Sequence, residues 1–175
     1  MRRARRVLRC TAAPTALANS RLAACFSHVQ RRDRMDARSM DYLIGLILAP
    51  AVCVAARLAG FDRERGFYPV VLIVIASYYV LFAVMGGDSM IILLESAVGA
   101  AFLAAALAGF KTRLWILVPA LAAHGVFDFF HPLLLQNARV PVWWPPFCLA
   151  FDLGAALFLG VLLLRGTGPG SFSAR

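Results

Sequence analysis

The sequence predicts an all-α protein, a bundle of about five membrane-spanning helices, and three observations lead there. The chain is 61% hydrophobic with a mean hydropathy of +0.75, too apolar for an ordinary soluble domain. Five stretches approach or reach the roughly 20 mostly apolar residues that cross a bilayer: 42–59, 67–85, 89–109, 112–130 and 147–164. The charge is also segregated. Residues 1–39 hold ten arginines against Asp33 and Asp36, whereas the rest of the chain has eight basic and seven acidic residues. The expected organisation is therefore a basic segment over 1–39, a membrane domain over 40–165 and a short tail over 166–175.

That segregation excludes one reading of the formal charge of +9. The membrane body is close to neutral and keeps no basic face for a phosphate backbone, so membrane lipids, and not nucleic acid, are the expected partners. Cys10, Cys25, Cys53 and Cys148 form no Cys-x-x-Cys pair and read as small apolar residues. The 1–39 segment is no lipoprotein signal, because Arg9, Pro14, Asn19 and Arg21 interrupt the apolar core such a signal requires. It reads as a disordered basic tail or an over-extended gene start, with an organellar transit peptide as the lesser alternative. With the tail counted, the positive-inside rule sets eleven basic residues on the N-terminal side against seven on the other. From Met40 the count is one, Arg139, against seven. The second count has the short loops agreeing with one another and places the C-terminus inside; a bacterial inner membrane is the expected location.

Span 1 is a plain anchor with Pro50 and small residues, and Arg57 can snorkel from its end. A short charged loop leads to span 2, where Pro69 lies in the first turn and costs little. Ser77, Tyr78 and Tyr79 lie near mid-depth and read as interhelical hydrogen-bonding groups. Gly86, Gly87 and Asp88 make a hairpin so tight that spans 2 and 3 must be antiparallel neighbours. In span 3, Ala97, Ala101, Ala105 and Gly109 repeat every four residues, a small-residue face that predicts a central place in the bundle. Pro119 is expected to kink span 4. The apolar, proline-rich 131–146 segment is expected to lie along the interface as a lid, with Trp143 and Trp144 in the aromatic belt.

Glu95, His124, Asp128, His131 and Asp152 carry the functional signal. A charge in hydrocarbon costs roughly 3 kcal/mol on insertion scales, so such residues face a partner, an ion or a water cavity. Counting from the loops at about 1.5 Å per residue puts Glu95 and His124 about 10 Å below one surface, Asp152 about 8 Å, Asp128 about 5 Å and His131 at the rim. All five therefore lie toward one side of the membrane whichever way the protein is inserted. His124, Asp128 and His131 are spaced i, i+4, i+7 and share a helical face. A carboxylate can there fix an imidazole tautomer. Alternatively His124, Asp128, His131 and Asp152 can ligate a divalent metal such as zinc or iron. Pro132 pushes the preceding His131 away from helical geometry.

The block from Ala123 to His131, then Asn137, the 140–152 stretch, the 66–69 stretch and the Tyr78-Tyr79 pair together resemble a family of small bacterial multi-pass membrane proteins of unknown function. The resemblance covers about 41–164 and implies no activity. From the residues themselves, the leading expectation is an intramembrane metal-assisted or acid/base enzyme acting on a lipid-like substrate. In it His124 with Asp128 is base or ligand, Asp152 a ligand or proton acceptor, and Glu95 a proton donor. A small proton or ion transporter or channel subunit is the second reading, and a homo-oligomer could complete its path. An assembly subunit is the third.

Overall fold

The computed structural model describes residues 39–62 and 65–169; the basic segment and its start, Arg63, Glu64 and the last residues of the tail lie outside them. Five helices follow in order: α1 (Ser39–Ala59), α2 (Phe67–Gly86), α3 (Ser89–Lys111), α4 (Leu117–Leu134, entered through a 3-10 turn at Leu114–Ile116) and α5 (Trp144–Leu164). Each, with that turn counted into α4, is long and apolar enough to cross a membrane, and no strand occurs among the described residues. The chain is an all-helical, multi-pass membrane protein.

The α2–α3 hairpin is set by two residues. Gly87 takes a left-handed φ of 75° and returns its N–H to Ala83 and Val84, which closes α2. Asp88 then caps α3, its Oδ1 accepting from Met90 N at 2.9 Å and Ile91 N at 3.1 Å. So short a connection leaves the helices antiparallel and in extensive contact. At the other end Thr112 closes α3, its hydroxyl donating to Ala108 O at 2.7 Å, while Arg65 Nη2 donates to the Thr112 carbonyl at 2.7 Å.

Three expectations about the elements need correcting. The fourth span starts at Leu114, because Thr112 belongs to the end of α3, and Pro119 then falls in the first turn of α4, where its missing N–H is harmless. The same helix runs past 130 and through Pro132 to Leu134, its last turn closed by Leu135 N donating to His131 O at 2.9 Å. Because α5 starts at Trp144 with Pro145 and Pro146 in its first turn, the loop contracts from 131–146 to 135–143. Trp144 packs on Tyr78 and Phe82 at ring distances of 4.8 and 5.4 Å, leaving Trp143 as the exposed member of the pair.

The third correction concerns the centre of the bundle. Ala97 and Ala101 are exposed, and α3 is the least enclosed helix; it turns Glu95, Ala106 and Gly109 inward instead. The central helix is α4, whose Leu117, Ala120, Leu121, His124, Gly125, Asp128 and His131 form one buried face. Its most extensive partner is α5. On α5's far side α1 approaches closely through glycine: a Cβ at Gly45 would collide with the Phe147 carbonyl, and one at Gly154 would lie 2.7 Å from Ala49 Cβ.

Candidate functional site

α4 presents its polar face as a column with His124 deepest and His131 nearest the 135–143 loop. Beside His124, Gly125 lets α5 come close, since a Cβ there would lie 3.2 Å from Asp152 Cβ. The approach delivers Asp152 Oδ2 to 2.7 Å from His124 Nδ1. Asp128 Oδ2, one turn along α4, lies 3.4 Å from the same nitrogen. From α2, the Tyr79 hydroxyl donates to Asp128 Oδ1 at 2.6 Å. One ligand atom from each of His124, Asp128 and Asp152 lies within 4.8 Å of the others. Phe102 of α3 covers the imidazole edge-on at 4.7 Å. None of the three residues is more than 1% exposed.

A second pair forms toward the loop. His131 Nε2 lies 2.8 Å from Glu95 Oε1, and the Asn137 side chain donates to that same oxygen at 3.1 Å and to the Tyr79 carbonyl at 3.3 Å. Asn137 Oδ1 in turn accepts from Arg139 N at 3.3 Å. The His131 ring stacks on Tyr79 at 4.2 Å and 28°. Thus His131, expected among the metal ligands, is engaged by α3. Seven residues of helix separate it from His124 by about 10 Å of rise, which takes it out of the deeper group.

The two groups differ in composition: Glu95 and His131 pair one carboxyl group with one imidazole, whereas His124 faces two carboxyl groups. Each member of the deeper group also retains one buried polar atom with no hydrogen-bond partner: His124 Nε2, Asp128 Oδ2 and Asp152 Oδ1. Nearly all buried polar atoms in proteins are satisfied, so three in one cluster single this group out as a candidate for proton exchange or ligand binding. With Nδ1 held by Asp152, the remaining ring nitrogen is free to take a proton or a ligand bond.

Of the five residues singled out in the sequence, all are buried; His124, Asp128 and Asp152 are brought together, and Glu95 joins His131. Asp128 and His131, the two shallowest by counting, are enclosed as well. Tyr79 and Asn137 complete the network without having been assigned a site role. The adjacent Ser77 and Tyr78 gave Tyr79 no distinction in sequence, and in the structure only Tyr79 of the three is buried. Asn137 follows Gln136 in the loop, and the two amides are not distinguished in the sequence.

An apolar groove of about 470 Å³ is lined by Phe61 and Gly66 of the loop between α1 and α2, by Phe67, Val70, Val71, Val74 and Ile75 of α2 and by Phe151 of α5; none of the five polar residues lines it. Compared with known protein families, curated proteins and solved structures, the chain finds no match in any of the three.

Proposed function

We propose that the chain is an intramembrane enzyme that acts on a lipid-like substrate, with His124, Asp128 and Asp152 as its metal-assisted or acid/base centre. The observation that carries this reading is the His124 side chain. Asp152 engages Nδ1 at 2.7 Å and leaves Nε2 buried and unpaired, the arrangement that readies an imidazole for proton transfer or ligation. Asp128, steadied by Tyr79, supplies the second carboxylate. Glu95, which keeps Oε2 unpaired beside His131, is assigned the role of proton donor in this reading. A lipid-like substrate is the class that reaches a centre enclosed by membrane-spanning helices directly from the bilayer. A bacterial inner membrane and the family resemblance built on the 123–131 block belong to the same proposal.

A second reading is a proton or ion path, favoured by the continuity of Tyr79, Asp128, His124 and Asp152 across three helices. One experiment separates the two. Protein reconstituted in vesicles of mixed phospholipids, glycolipids and isoprenoid lipids is followed by mass spectrometry for products and by an internal dye for proton flux. Turnover that falls at least about 100-fold in folded His124→Ala and Asp152→Asn variants supports the enzyme. Flux lost in those variants, without turnover, would support the path; neither signal in the parent sinks both.

A further inference from the structure

We infer that the His124–Asp128–Asp152 centre binds one divalent transition-metal cation of the zinc or iron class, held by one atom from each residue. The inference rests on the reading of this centre as the working site and names its cofactor. One imidazole and two carboxylates suit zinc or iron, whereas copper(I) seeks sulfur. Two carboxylates and a neutral imidazole cancel a dication, whereas without one the same three residues need two protons to be neutral within the spans.

The hydrogen bonds point the same way. Tyr79 occupies Asp128 Oδ1 and leaves Oδ2 bare, and the contact between His124 Nδ1 and Asp152 Oδ2 leaves His124 Nε2 and Asp152 Oδ1 bare. Each ligand residue is thus held by one polar atom and keeps another to give, the pattern of metal ligands supported by an outer layer of hydrogen bonds. Donor atoms about 2.0–2.1 Å from a tetrahedral ion sit about 3.3 Å apart. One ligand atom from each of the three residues lies within 4.8 Å of the others, close enough for small side-chain movements to admit the ion. The neighbouring Glu95–His131 pair offers one carboxyl group and one imidazole outside this set and serves as the internal control.

Full-length protein is purified in detergent without chelator and its metal measured by elemental mass spectrometry, before and after incubation with zinc(II) or iron(II). Helical content and monodispersity are measured for every variant. About one ion per chain is expected in the parent, at least about tenfold less in His124→Ala and Asp152→Asn, and no loss in Glu95→Gln. Should His124→Ala not fold, Asp152→Asn carries the comparison, since the amide keeps the carboxylate's shape. A folded parent that neither carries nor takes up zinc or iron overturns the inference, as does an ion retained by both centre variants or lost only in Glu95→Gln. The ion count needs no turnover. Ion without lipid turnover removes the enzymatic reading and keeps the site, and turnover without ion does the reverse.

Discussion

At the scale of single residues, the energetics follow from which groups lose their partner. His131→Ala strips Glu95 of its counter-charge and leaves it with Asn137 alone; breaking a buried ion pair from one side costs about 3–5 kcal/mol. The expected result is a clear drop in thermal midpoint in detergent, partly restored when Glu95→Gln is added, because the orphaned charge then disappears. If the double variant is no more stable than His131→Ala, the pair is not what holds Glu95. Tyr79→Phe removes one neutral donor from Asp128 and is expected to be milder, about 1–3 kcal/mol in the same melt. Tyr79 also shows why residue type alone misleads. Tyr78 carries the same hydroxyl one position earlier, and a turn of about 100° separates a buried partner of Asp128 from a side chain that packs on Trp144.

Among the elements, the contact between α4 and α5 matters most, and Gly125 sets its closeness. A Cβ there meets Asp152 Cβ at 3.2 Å and the Leu149 carbonyl at 3.3 Å. Gly125→Val is therefore expected to push α5 outward, at about 1–3 kcal/mol for overpacking, and to separate His124 from Asp152. A melting measurement alongside a metal count checks both consequences, and unchanged values in each would show that α5 is not seated by this glycine. The exposed Ala101→Leu on α3 is the contrasting substitution, expected to leave the melt within about 0.5 kcal/mol. The small-residue period of α3 was legible, but a period does not say whether the partner is inside the chain. α4 is central because its polar residues must each be met from another helix.

For the molecule as a whole, the five crossings put both polar groups toward the side of the 135–143 loop. The basic residues Arg57, Arg65, Lys111, Arg113 and Arg165 collect at the opposite ends of the helices. Counted from Met40 the positive-inside rule predicts the loop outside, and counted with residues 1–39 it predicts the loop inside; the first is the expectation that labelling tests. An Arg139→Cys variant in intact cells is expected to react with a membrane-impermeant maleimide, and Arg113→Cys only after permeabilisation. The reverse labelling pattern would invert the assignment. Cys53 and Cys148 are buried, and Cys10 and Cys25 are replaced by serine in both variants so that they add no background.

The amino-acid sequence by itself determined the all-helical membrane class, the approximate spans and the shared side of five polar residues. Hydropathy, helical rise and alternating direction are local quantities that accumulate along the chain. It also put His124 and Asp128 on one face of one helix. What only the tertiary structure decided was the pairing: Asp152 with His124, Glu95 with His131, Tyr79 with Asp128 and Asn137 with Glu95. Depth limits which groups can meet but says nothing of each helix's rotation about its axis or of which neighbour it packs against. Rotation and neighbours are settled by close packing at Gly45, Gly125 and Gly154 and by the need of every buried charge to be met. For that reason His131 left the expected metal set, and α4, rather than α3, became the centre of the bundle.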